Sequence, residues 1–63
     1  MQPNDVLTLI RKLPDLEKEV MVDEAGLYVS GSLNDTVTVA YQCGDISEDL
    51  IIAATVRQIR KAA

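Results

Sequence analysis

Apolar positions near the start of the chain recur with a helical period. Val6, Ile10 and Leu13 fall at i, i+4 and i+7, and Leu7 and Leu9 widen the stripe. Asn4 stands before them as an N-cap. Pro14 biases Leu13 away from helical angles. The pattern predicts a helix over 4–13, then a short connector over 14–18 with Leu16 tucked beneath.

From Glu19 the period reads as two. Val20 and Val22 alternate with Glu19, Met21 and Asp23. Asp23-Glu24-Ala25-Gly26 has the composition of a turn. Leu27 and Val29 alternate with Tyr28 and Ser30, Asn34-Asp35 marks a second turn, and Val37, Val39, Tyr41 and Cys43 alternate with Thr38, Ala40 and Gln42. Pairing Val22 with Leu27, and Leu33 with Val37, keeps the apolar residues on one face. That face carries Val20, Val22, Leu27, Val29, Leu33, Val37, Val39, Tyr41 and Cys43, and Gly31 falls where something packs closely or the strand bulges. The opposite face carries Glu19, Met21, Tyr28, Ser30, Ser32, Thr38, Ala40 and Gln42 and is left for solvent or a partner.

Gly44 closes the sheet. Asp45 and Ser47 compete to cap a last helix, and Ser47 is preferred because it places Ile46 and Ile51 as a hydrophobic staple. Glu48 and Asp49 suit the positive end of the helix dipole, and Arg57, Arg60 and Lys61 suit its negative end. Ile52, Val56, Ile59 and Ala63 form one stripe of this helix. Leu50, Ile51 and Ala54 fall on another, which helix 1 or a second subunit would cover. The expected architecture is α+β: one small domain over 1–63, in the order α-β-β-β-α, with a three-stranded antiparallel meander and both helices on one face.

At 63 residues there is room for one small core. The composition is 48% apolar and 25% charged, which is globular rather than disordered. The net charge of −4 is unevenly spread: residues 13–49 hold nine acids against Lys18 alone, a local charge of −8. Such a segment repels phosphate backbones and favours a basic partner surface. The α-β-β-β-α order is also that of double-stranded RNA-binding domains, whose basic helix starts grip phosphates. Here Glu48 and Asp49 stand at that position, so nucleic acid is not the expected partner. Cys43 is the only cysteine, so an internal disulfide is impossible and a reducing, cytoplasmic setting is expected. No signal peptide is expected, since no basic, apolar leader pattern opens the sequence, and no apolar run reaches membrane-spanning length.

Chemistry is sparse. Absent His removes the commonest general base and the commonest transition-metal ligand. Cys43 falls on the inward parity, as a buried small thiol. Asp45-x-Ser47-x-Asp49 opens like a calcium loop, but Leu50 and Val56 stand where that loop needs Gly and Glu. The three glycines form no phosphate-binding motif. No enzyme activity, cofactor or metal is expected.

The sequence therefore points to a non-catalytic protein-interaction module, such as an inhibitor, adaptor or accessory subunit, docking on a basic surface of another protein. The expected contact residues are Glu19, Met21, Asp23, Glu24 and Tyr28. One version is a nucleic-acid mimic of the kind some phages use against host defence proteins. A further expectation is a self-associating subunit, dimerising through Leu50, Ile51 and Ala54.

Overall fold

Pro14 separates two helices rather than a helix from a strand. The computed structural model describes residues 1–62. They form α1 (Pro3–Lys12), α2 (Asp15–Ala25), α3 (Leu33–Cys43) and α4 (Glu48–Ala62). No strand is present among the described residues, so the α+β meander is overturned and the fold is all-helical. The segments expected as three strands are α2, the link that follows it, and α3.

α1 lies within one residue of its expected span. Its start is fixed by Gln2 and Asp5 rather than by Asn4: the Asp5 N–H donates to the Gln2 carbonyl at 2.9 Å, and the Gln2 N–H donates to the Asp5 carboxylate at 3.1 Å. Leu13, with ψ 143°, leaves the helix just before Pro14.

α2 is helical because most of DLEKEVMVDEA favours a helix, and two valines are too few to override the sum. Its inner face is Lys18, Met21 and Val22, at i, i+3 and i+4. A lysine at an inward position hides the apolar period: its aliphatic stem packs inside, and its Nζ donates to Asn34 Oδ1 on α3 at 3.3 Å. The helix closes at Gly26, whose φ of 69° lies in the left-handed region. There the Gly26 N–H donates to the Asp23 carbonyl, and the Leu27 N–H donates to that of Val22.

α3 contains the β-branched run Thr36–Val39, which imitates a strand. Two caps decide otherwise. Ser32 Oγ accepts the Asp35 N–H at 3.0 Å. At the other end Gly44, with φ 88°, allows the Asp45 N–H to reach the Ala40 carbonyl at 2.8 Å. Thr36, Val37 and Ala40 then form the buried face. For α4 the preference for Ser47 holds: the helix begins at Glu48, and Ser47 Oγ accepts the Leu50 N–H at 3.3 Å.

α1 packs against both α3 and α4, and α2 packs against α3. The core joins Val6, Ile10 and Leu13 of the first helix and its end to Met21, Val22, Val37, Ala40, Ile46, Ile51 and Ala54. Changing the period from two to 3.6 moves several side chains to the other side. Val20, Val29 and Val39, expected inside, are exposed, and so is Cys43. Met21 and Ala40, expected outside, are buried. In α4 the sector of Ile51 and Ala54 is core, whereas Val56 and Ile59 on the expected stripe are exposed; Ala63, its last member, lies outside the described residues.

Candidate functional site

The outer face of α2 is the most distinctive surface of the molecule. With Lys18, Met21 and Val22 turned inward, Leu16 and Val20 stand one turn apart on the far side. Leu16 is 68% exposed and Val20 is 42% exposed. Asp15, Glu19 and Asp23 run beside them, also at intervals of four, so an apolar ridge lies next to an acidic row.

After α2 the chain passes beside this face. Leu27 turns back against the core, and Val29 stays half exposed. Leu16, Val20, Leu27 and Val29 line a shallow groove of about 400 Å³ with Glu19 and Asp23 at its rim. Beyond the link lies a second hollow of about 280 Å³, bordered by Tyr28, Val39, Asp35 and Asp45. Tyr28 is 95% exposed, and Leu27 is shared by the walls of both hollows. Neither groove has a basic residue in its wall. Lys18, the single cation between residues 13 and 49, is only 4% exposed, so it does little to offset the acids at the surface.

One acid of α2 is already engaged. Glu17 accepts two bonds from Arg57 of α4, at 3.2 and 3.3 Å, and a third from Gln58 at 3.3 Å. The Arg57 bonds hold the Glu17 carboxyl below its ordinary value, with burial opposing and Gln58 assisting. The same bonds raise Arg57. This clamp ties α2 to α4; among the described residues Asp15, Glu19, Asp23 and Glu24 make no salt bridge, although the charge of Glu24 adds to the rise of Arg57.

Of the residues expected to meet a partner, Glu19, Asp23, Glu24 and Tyr28 are exposed along α2 and its link. Met21 is 6% exposed and belongs to the core. Leu16, Val20, Val29 and Val39 were missed as surface residues; the spacing of Leu16 and Val20 beside Asp15, Glu19 and Asp23 is the signal that a helical reading of this segment exposes. Of the expected self-association residues, Ile51 and Ala54 are fully buried and Leu50 alone is half exposed.

A second apolar surface differs in charge. Ile59 is 65% exposed and Val56 is 38% exposed, on the last turns of α4. A groove of about 450 Å³ beneath Ile59 is lined by Leu9, Leu13, Lys12 and Pro14 among others, with no acid in its wall. Arg60 follows Val56 by one helical turn and is exposed.

Among the described residues no three His, Cys, Asp or Glu side chains come together as a metal site, and no helix is long and apolar enough to cross a membrane. No family model matches the chain, and no curated protein or solved structure matches it either.

Proposed function

We propose that this chain is a non-catalytic protein-interaction module whose α2 face docks on a basic surface of a partner protein. The observation that carries the reading is the apolar ridge of Leu16 and Val20, continued by Val29, with Glu19 and Asp23 and no cation in the groove on one side, while Arg57 and Lys61 border the hollow on the other side of Leu16 and Val20. Covering these side chains and Tyr28 supplies the binding energy. A fully covered Leu or Val is worth about 1.5–3 kcal/mol, and these partly exposed ones correspondingly less. Asp15, Glu19, Asp23 and Glu24 steer the encounter and set the register. Tyr28 offers a large exposed ring, the residue type enriched where binding energy concentrates. The apolar ridge favours docking on a partner surface with an apolar patch of its own over occupation of a nucleic-acid groove by mimicry, because a phosphate backbone is a line of charge without such a ridge.

Affinity capture from the source cells tests this, with the wild type beside two folded variants, Leu16→Ser/Val20→Ser and Glu19→Lys/Asp23→Lys. The reading expects one basic protein retained by the wild type and reduced at least about tenfold with either variant, equivalent to about 1.4 kcal/mol. A protein held equally by all three chains overturns it.

A further inference from the structure

We infer that the α2 groove also accepts a second copy of this chain, head to tail, with the Val56–Ile59 end of α4 as the docking element. Two surfaces of the molecule are complementary to each other. The groove presents Leu16, Val20 and Val29 with Glu19 and Asp23 at its edge and no cation in its wall, Arg57 and Lys61 lying in the separate hollow on the far side of Leu16 and Val20. The end of α4 presents Val56 and Ile59 with Lys12 and Arg60 nearby, and the hollow beneath Ile59 contains no acid. On the Glu19/Asp23 side of the groove each surface therefore has the chemistry the other needs: apolar side chains to be covered and charge of opposite sign beside them.

The two surfaces share no residue, and the Glu17–Arg57 clamp lies between them. One copy can engage both at once. A contact between two different surfaces propagates into open chains, or into a ring if the rotation closes. This differs from a two-fold dimer through Leu50, which would stop at two copies.

The contact is weak. A standard interface takes about 800 Å² from each partner, close to a fifth of the 4349 Å² surface of this chain, and a single shallow groove offers less. The net charge of −4 also opposes close approach of two copies. Self-association therefore belongs to high concentration and low salt, and a tighter basic partner displaces it from the groove.

Sedimentation equilibrium over about 0.05–1 mM protein tests the inference, with concentrations chosen for so small an interface. Two variants separate the surfaces: Leu16→Asn/Glu19→Gln/Asp23→Asn disables the groove, and Lys12→Gln/Ile59→Asn/Arg60→Gln disables the α4 end. Circular dichroism checks that both remain helical. The wild type is expected to form species beyond a dimer, with the association constant falling about tenfold between about 50 and 300 mM salt as screening shortens. Each variant alone is expected to be a monomer, and an equimolar mixture to stop at a dimer, because only one productive pair of surfaces remains. A monomeric wild type overturns the inference, as does association that stops at two copies, association of either variant alone, or a mixture that fails to pair. Capture of a basic protein by a monomeric wild type would remove this inference and leave the docking function standing.

Discussion

Val37 and Val39 offer a sharp comparison, because a strand places both on one face and a helix separates them. In α3, Val37 is 0% exposed and Val39 is 55% exposed. Val37→Ala removes two buried carbons, about 1.6 kcal/mol of transfer energy; the space left behind raises the loss, and the better helix propensity of Ala returns roughly 0.5 kcal/mol, for a net loss of about 1.5–2.5 kcal/mol. Val39→Ala removes the same atoms from a half-exposed position. Its loss is about half as large and is offset by roughly 0.5 kcal/mol from the better helix propensity of Ala, so the net change stays within about 0.5 kcal/mol of zero. For a 63-residue chain the whole folding free energy is about 3–9 kcal/mol. Val37→Ala therefore removes a large share of it and lowers the melting temperature by about 10–20 °C. Urea denaturation followed at the helical dichroism band measures both variants against the wild type. Equal losses at the two positions would refute the helical placement of this segment.

Other consequences follow from the caps and the clamp. Gly26→Ala should destabilise by about 1–2 kcal/mol, since nothing lies within 4 Å of an added Cβ and the left-handed φ of 69° is the whole cost; Gly26→Asn should recover part of it in the same denaturation assay. Ser32→Ala should cost about 1 kcal/mol by leaving the Asp35 N–H without its side-chain acceptor, and hydrogen exchange should speed up in the first turn of α3. Glu17 is held below its ordinary value of 4.5, so its stabilising contribution is complete above that pH and fades as pH falls through the lowered folded value. Glu17→Gln should therefore be less stable than the wild type near neutrality, with the difference closing as pH falls through that lowered value in paired melts.

The two outer helices were legible in the sequence because their signals are local and agree. In α1 the apolar stripe and Pro14 point to one answer, and in α4 Ser47, the acids after it and the terminal cations do the same. The middle was misread for two separate reasons. In α2 a charged residue, Lys18, occupies an inward position, so a stripe of apolar letters breaks where the folded helix is continuous. In α3 the run Thr36–Val39 has strand propensity, and the helix prevails through tertiary burial of Val37 and Ala40 between caps at Ser32 and Gly44. Those caps were visible as letters, an N-cap Ser and a closing Gly with eleven residues between them, and they carried more information than the alternation did. The acidic character of the middle survived the change of fold, because Glu19, Asp23 and Glu24 are exposed in either reading. The apolar half of the surface was hidden by it, because Leu16, Val20 and Val29 reach solvent only when the segment is wound as a helix followed by its link.

If the outer face of α2 meets another protein, a reagent placed on that face will capture that protein. Photo-cross-linking in the source cells tests it most directly, with a benzophenone side chain placed at Val20 and, in a separate chain, at Ala53 on the exposed side of α4. The account predicts a discrete adduct with a basic protein from position 20 that disappears when Glu19→Lys/Asp23→Lys is added, and none from position 53. An adduct of equal yield from both positions, or from position 53 alone, would contradict it.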